Sequence, residues 1–364
     1  MTDLVLIDGS SYLYRAYHAL PPLSNAAGEP TGAMHGVLTM ILKLIREEQA
    51  PHVAVVFDAP GKTFRDEIFA DYKANRPPMP DDLRQQVQPL LDAVEAMGLP
   101  LLRVADVEAD DVIGTLCTQA AKRGLDVLVS TGDKDLAQLV NDRVTLINTM
   151  NDSRLDRDGV KAKFDVYPEQ IVDYLALVGD SSDNIPGVPK VGPKTAAKWL
   201  NLYDSADGIV EHADQIKGAV GQSLRDNIEQ LRLSQSLAAI RRDVDLDRDV
   251  GDLVTAKEDT ATLRKLYSRY ELRSLLRQLD ENADEPAVAV AEKPGEYETI
   301  VTWEAFDPWL KKIETAKLTA FDTETTGLDY MEAEIVGFSL AVDNGEACYV
   351  PVAHDYPGAP DQLP

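Results

Sequence analysis

Cysteine is nearly absent from this sequence: Cys117 and Cys348 are the two in 364 residues. They lie far apart, and neither sits in a CxxC or a zinc-ligand spacing. A disulfide framework and a cysteine zinc site are therefore not expected, and a reducing cytoplasmic setting is. Long apolar runs are missing too, so no membrane partner is expected. Met1-Thr2-Asp3 leads directly into the first apolar stretch, without the basic and apolar regions of a secretory leader. Basic charge is also scarce: 36 Lys and Arg against 62 Asp and Glu give a formal net charge of −26. Nucleic-acid binders usually carry a basic footprint. Any DNA contact must here run through local basic patches and bound cations.

Acidic residues are what the chain has instead, and nine of them recur in otherwise apolar or uncharged contexts: Asp8, Asp58, Glu108, Asp110, Asp111, Asp133, Asp135, Asp180 and Asp183. Most follow runs that read as buried strands, such as Leu4-Val5-Leu6-Ile7 before Asp8 and Val53-Ala54-Val55-Val56-Phe57 before Asp58. Carboxylates gathered at strand ends repel one another unless positive charge sits between them. An oxygen-only donor set points to Mg²⁺ or Mn²⁺ rather than zinc. Removing these nine acids still leaves a charge of −17, so metal binding alone does not account for the acidity.

The first ~150 residues alternate strand and helix signals, with strand-like runs at 4–7, 53–57, 99–104, 126–130 and 144–147. Val37, Leu38, Ile41, Leu42 and Ile45 mark one helix face, and Ile113, Leu116, Cys117 and Ala120 another. The pattern predicts an α/β fold with a mostly parallel central sheet, whose ligands bind at the carboxyl ends of the strands. Residues 1–175 are assigned to this catalytic domain and 176–280 to a C-terminal helical subdomain. An acidic, Pro-containing stretch at 281–296 reads as a linker. A further α/β unit occupies 297–364, with strand signals at 298–301, 318–322, 335–342 and 347–352. It reads as incomplete, with too few elements to close a core.

Each acidic motif on its own suits an ordinary structural role. Glu108-Ala109-Asp110-Asp111 fits the acidic first turn of a helix, Thr131-Gly132-Asp133-Lys134-Asp135 a helix cap, and Asp180-Ser181-Ser182-Asp183-Asn184 a polar turn. Their joint occurrence in one βα pattern is what shifts the reading, since a cap does not require acidic neighbours. Gly187-Val188-Pro189-Lys190-Val191-Gly192-Pro193-Lys194-Thr195 is the second signal, free of acids in a very acidic chain. Glycines flank a tight turn and Pro193 suits a first helical position. Lys190, Lys194 and Lys198 with open backbone N–H groups suit a helix–hairpin–helix that grips phosphates. The bland alternative is a Gly/Pro turn between helices. Residues 62–84 carry Lys62, Arg65, Tyr72, Lys73, Arg76 and Arg84 directly after Asp58, a placement suited to covering the site.

Ile7-Asp8-Gly9-Ser10-Ser11-Tyr12, Val56-Phe57-Asp58, Tyr72-Lys73-Ala74-Asn75-Arg76-Pro77, Glu108-Ala109-Asp110-Asp111, Thr131-Gly132-Asp133-Lys134-Asp135 and Gly179-Asp180-Ser181-Ser182-Asp183-Asn184-Ile185-Pro186-Gly187 together resemble the 5′ nuclease (flap endonuclease) family. More narrowly, residues 1–280 resemble the form that opens bacterial DNA polymerases. The resemblance implies a structure-specific 5′→3′ exonuclease and 5′ flap endonuclease, with a helical arch over the site and all nine acids as metal ligands for two or more ions. It implies catalytic roles for Tyr72, Lys73 and Arg76. DNA contacts are implied at Arg15, Arg65, Gly187, Lys190, Gly192, Lys194 and Thr195, and a K⁺ ion at the hairpin. Implied partners are DNA with 5′ flaps, nicks or RNA primers, met by a monomer in the bacterial nucleoid during primer removal and repair. Ala320-Phe321-Asp322-Thr323-Glu324-Thr325 resembles the opening motif of a ribonuclease-H-like 3′→5′ exonuclease, with Asp322 and Glu324 on one strand face as the start of a second metal site. Two other readings stand beside this one: a nuclease-like scaffold that binds flaps without cutting, and a small-molecule phosphatase.

Overall fold

Apolar runs ahead of acids become strands because alternate side chains of each run have a separate core to enter. In the computed structural model, β1 (Leu4–Asp8), β2 (His52–Val56), β3 (Leu101–Leu102), β4 (Val127–Ser130), β5 (Val144–Asn148) and β6 (Ser153–Leu155) form one sheet ordered β3-β2-β1-β4-β5-β6. Every neighbouring pair is parallel except β5 with β6. The structure describes residues 2–150, 153–283, 297–327, 333–342, 346–355, 359 and 362–363. It divides into two units, Met1–Asp284 and Glu285–Pro364. Of the expected linker, residues 284–296 lie outside the described residues.

All five residues of β1 are buried. Leu4 and Leu6 enter one core and Val5 and Ile7 the other, as a doubly covered parallel sheet requires. On the Leu4 side pack α5 (Ala109–Lys122), α7 (Ile171–Val178) and the helical segments between residues 193 and 238. The Val5 side is covered by α1 (Gly9–Ala19), α2 (Gly32–Glu48) and α4 (Asp81–Ala96), with α3 (Phe64–Ile68) and α6 (Arg157–Phe164) the remaining helices of this half. On α2 the deepest residues are Met34, Val37, Leu38, Ile41 and Leu44, while Leu42 and Ile45 are only half-buried. The buried stripe is thus turned slightly from the face read in the sequence.

The helical part comprises α8 (Pro193–Tyr203), α9 (Ala206–Glu211), α10 (Gly218–Asp226), α11 (Ile228–Ala238), α12 (Thr260–Arg269) and α13 (Arg273–Ala283). The last two return to the start of the chain. Leu263, Tyr267, Leu272, Leu275 and Leu279 share the core of Val5 and Ile7. Asn25 donates to the Arg269 carbonyl at 2.9 Å, and Arg269 pairs with Glu29 at 2.7 Å. Among the described residues no helix is long and apolar enough to cross a membrane.

Strand order reverses at β1: the chain moves outward through β2 and β3, then crosses back to place β4 on the other side of β1. Such a switch opens a crevice above the carboxyl ends of the two central strands. Asp8 ends β1, and Thr131 through Asp135 follow β4. The expected helical arch takes another form: between β2 and α4 the chain contains the five-residue α3, then a turn-rich stretch to Arg76. Thr63 caps α3 in a reciprocal box with Asp66, and Pro80 precedes α4.

In the second unit β7 (Tyr297–Thr299), β8 (Thr319–Thr325), β9 (Ile335–Val342) and β10 (Ala347–Pro351) form a sheet ordered β7-β10-β9-β8, with α14 (Trp303–Thr315). A small core does gather here, from Ile300, Trp309, Leu340, Val342, Cys348, Val350 and Leu363. β8 pairs only with β9 among the described strands, and Asp322 and Glu324 are exposed on it.

Candidate active site

Eight of the nine singled-out acids line one basin of about 580 Å³ above the switch point. Asp8 comes from the end of β1, Asp58 from just past β2, Glu108 and Asp110 from the start of α5, Asp133 and Asp135 from the segment after β4, and Asp180 and Asp183 from the loop after α7. Arg15, Lys73, Arg76 and Lys134 share the walls. Asp8 caps α1, its Oδ1 accepting the Ser11 N–H at 2.8 Å, while Oδ2 accepts the Thr131 hydroxyl at 2.7 Å. The Asp58 N–H donates to Ser10 Oγ at 3.0 Å, and its carboxylate accepts the Ala109 N–H at 2.8 Å, which ties β2 to the start of α5.

Crowded like charge shows in the proton affinities. Burial, with Asp58 and Asp133 nearby, pushes Asp8 up to about 7 against two hydrogen bonds that favour its charge. Burial and then Asp133 and Asp180 push Asp135 up to about 8. Asp110 is raised well above the carboxylate range by burial, then by Asp133, Asp8 and Glu108, and Asp133 is raised chiefly by burial. At Asp180 burial works against the charge, but Lys134 at 2.6 Å and the Ser182 N–H outweigh it and hold the carboxyl below its usual range.

The opposite wall is cationic. Lys73 Nζ lies 2.5 Å from Glu108 and 3.6 Å from Asp183, and Arg76 pairs with Asp183. The Tyr72 hydroxyl is placed between Glu108 (3.2 Å) and Asp183 (3.1 Å), and burial with these two acids raises its proton affinity. Bonds to backbone carbonyls complete the seam: the Lys73 N–H to Asp183, the Asn75 side-chain amide to Ser181, the Arg76 guanidinium to Ser182 and the Asn184 side-chain amide to Asp71. Residues 71–76 therefore lie against the 181–184 loop, with Lys73 in the left-handed region at φ 53°.

Two expectations need correction. Asp111 is fully buried and does not line the basin. Both its oxygens are held by the Arg65 guanidinium at 2.7 and 2.9 Å, and also by the Glu108 and Arg241 N–H groups. Arg65, expected on DNA, is 2% exposed and also donates to the Leu237 and Ala239 carbonyls. A buried acid needs a buried base, and this one found Arg65 46 positions away. The pair clamps α3, the start of α5 and the end of α11. Sequence reading gave no role to Ser10, Thr131 or Lys134, although all three stand inside quoted motifs. Their signal was polarity next to the acids; what they touch depends on which strands are neighbours.

Divalent ions suit this donor set. It is all oxygen, four of its carboxyls are pushed toward protonation by burial and by neighbouring acids, and Asp135 Oδ1 is buried with no hydrogen-bond partner. Among the described residues no three ligand side chains already converge on one ion-sized point. Lys73, Arg76 and Lys134 hold Glu108, Asp183 and Asp180 instead.

At the hairpin, Gly187 (φ 63°) and Lys190 (φ 69°) take left-handed conformations, and Gly192 and Pro193 open α8. Lys190, Lys194 and Lys198 are exposed and Thr195 half-exposed. The Gly187 carbonyl accepts from Gln230 at 2.6 Å and the Val188 carbonyl from the Val191 N–H at 3.0 Å, which closes the hairpin on itself and on α11. Arg15 donates to Asn148 at 3.3 Å at the basin edge.

The sequence matches family models described as the 5′-3′ exonuclease N-terminal resolvase-like domain over residues 3–165, the 5′-3′ exonuclease C-terminal SAM fold over 166–261, and a 3′-5′ exonuclease over 297–362. It is 53% identical to DNA polymerase I of Pseudomonas aeruginosa over 99% of this chain and 41% of that protein, so it spans about two fifths of that relative. Identity to the 5′-3′ exonuclease of Aquifex aeolicus is 40%, over 77% of this chain and 96% of that one. In fold it is similar to the T5 D15 protein co-crystallised with metal ions (TM-score 0.55, 21% identity, 77% of this chain, 99% of that one). The catalytic core of Rad2 in complex with DNA substrate is also similar (TM-score 0.52, 14% identity, 76% and 92%).

Two outcomes follow from the basin and its clamp. Asp111→Asn removes the charge that the buried Arg65 guanidinium holds at 2.7 and 2.9 Å and leaves it Glu108 at 3.4 Å, so urea unfolding should show a loss of about 3–5 kcal/mol; the exposed Arg157–Glu169 pair, removed by Arg157→Ala, should hardly move the curve. The raised acids also set a pH dependence. Between the ordinary 3.8 and folded values of about 7 for Asp8 and about 8 for Asp135, the folded chain binds more protons than the unfolded one. Stability from these groups therefore falls as pH rises through that window. Calorimetry with Mg²⁺ or Mn²⁺ should show a larger rise in Tm at about pH 8.5 than at about pH 5, because ions bind the deprotonated form; equal shifts would contradict the assignment.

Proposed function

Because this chain belongs to the 5′-3′ exonuclease family, we propose that its acidic basin hydrolyses DNA phosphodiesters at 5′ flaps, nicks and RNA-primer ends. The observation that carries this reading is the convergence of eight acids from separate segments into one basin faced by Lys73 and Arg76. Asp8, Asp58, Glu108 and Asp110 would hold one divalent ion, Mg²⁺ or Mn²⁺, and Asp133, Asp135, Asp180 and Asp183 another. When bound, paired ions of this kind supply Lewis acidity to the scissile phosphate and ease deprotonation of the attacking water. Asp111 stays with Arg65 and holds the turn that presents Glu108 and Asp110.

Lys73 and Arg76 leave Glu108 and Asp183 to donate to the phosphate oxygens, where charge grows as the P–O bond to the 3′ oxygen breaks. Tyr72 keeps the segment seated through Glu108 and Asp183. Products carry a 5′-phosphate and a 3′-hydroxyl. Arg15 at the basin edge and Lys190, Lys194, Thr195 and the N–H groups between Gly187 and Gly192 grip the backbone, a positioning contact that reads no base. K⁺ enters no step. The whole protein, working as a monomer at the bacterial nucleoid, adds synthesis and a proofreading site that begins with Asp322 and Glu324.

A flap substrate with and without Mg²⁺ or Mn²⁺ tests this. Metal-dependent cutting near the single-strand/duplex junction is expected, with Lys73→Ala slower by roughly 100- to 1,000-fold. Tight binding without cutting in either metal would favour a recognition scaffold, and turnover of small phosphate esters alone a phosphatase. The hairpin has its own readout: the Lys190→Ala, Lys194→Ala double variant should weaken all DNA alike and flatten the log K against log salt slope by roughly two.

A further inference from the structure

Thr131 takes no part in the mechanism above, yet it touches both halves of the basin. It follows β4 directly, is 3% exposed, and is pinned to β5 by its N–H to the Ile147 carbonyl at 3.1 Å. Its hydroxyl accepts the Asp133 N–H at 2.9 Å. That bond alone is a local turn of a common kind. The second one is not local: the same hydroxyl meets Asp8 Oδ2 at 2.7 Å across 123 positions of chain. An ionised carboxylate only accepts, so the single hydroxyl proton goes to Asp8 and the oxygen lone pairs serve Asp133. With Ser11 on Oδ1 and Thr131 on Oδ2, both ends of the Asp8 carboxylate are fixed. Each oxygen accepts one of these bonds and keeps further lone-pair capacity, and Asp8 lines the basin.

We propose that Thr131 is a positioning residue for the divalent-ion site: its hydroxyl holds the Asp8 carboxylate and the Asp133 turn in one fixed relation across the gap between β1 and β4. This deepens the hydrolase reading and rests on it. Strand pairing alone does not supply the relation. The β1–β4 ladder ends at Ile7 with Ser130, one residue short of Asp8 and three short of Asp133. Beyond that last rung the Gly132 N–H reaches Ser11 Oγ at 3.2 Å, but the Thr131 hydroxyl is the group that touches both the Asp8 carboxylate and the Asp133 N–H. Partners that orient metal-binding side chains typically matter by 10- to 100-fold in ion affinity.

Mn²⁺ binding to the full chain, followed by the EPR signal of the free ion, provides the test without requiring turnover. Thr131→Val keeps the shape and removes both bonds, and should weaken Mn²⁺ by roughly 10- to 100-fold; Thr131→Ser keeps both bonds and should bind as the parent does. Thr131→Ala repeats the comparison should the valine variant fail to fold, and far-UV circular dichroism in EDTA shows which variants are folded. In an Asp8→Asn background the valine change should add little, since the interaction it breaks is already altered. Parent-like Mn²⁺ binding by folded Val or Ala variants, or equal losses in Val and Ser, overturns the role of Thr131 and leaves the hydrolase reading standing. A parent chain that binds no Mn²⁺ overturns both.

Discussion

Repulsion among carboxylates is the constraint around which this molecule is arranged. Eight acids share one basin in a chain of net charge −26, and each added charge raises the cost of ionising the next. The fold meets that cost unevenly. Asp180, Asp183 and Glu108 have lysine or arginine partners, whereas Asp8, Asp110, Asp133 and Asp135 are left with raised proton affinities. The division is chemically useful. Acids without a protein counter-ion are the ones with most to gain from a divalent cation, and the paired ones keep cations close to where a phosphate would lie.

The sheet makes this crowding possible by supplying stability from elsewhere. Both faces of β1 are sealed by apolar cores, so the strand ends are rigid even though their tips are electrostatically unfavourable. Burial of apolar side chains is non-directional and large in sum, while the acids demand specific neighbours. Separating the two lets the basin be unfavourable locally without unfolding the domain. Arg65 with Asp111 serves the same end from below: a closed ion pair, fully hydrogen-bonded, anchors the turn that presents the open acids.

Much of this was legible in the sequence. Apolar runs ending in acids located three of the central strands, β1, β2 and β4, and their acids do meet at the carboxyl edge. The odd one out was Asp111. Its motif spacing is the same whether it faces ions or Arg65, and only the fold of residues 64–68 decides between them. The covering segment was harder for a related reason: Pro77, Pro78 and Pro80 forbid helix there, but periodicity does not say that Lys73 and Asn75 bond to the 181–184 loop. Thr131 was visible as a residue and silent as a role, because its partner depends on β4 lying next to β1. The short antiparallel β6, with little apolar content, left no signal.

The return of α12 and α13 to the first strand has a consequence for biosynthesis. β1 leaves the ribosome first, but its neighbours arrive at widely separated times: β2 after about fifty residues, β4 only after more than a hundred, and the leucines of α13 near residue 280. Long-range parallel pairing of this kind is slow, and its half-covered intermediates expose sticky apolar surface. The nascent first strand must therefore wait, incompletely sheltered, until nearly the entire unit has been translated.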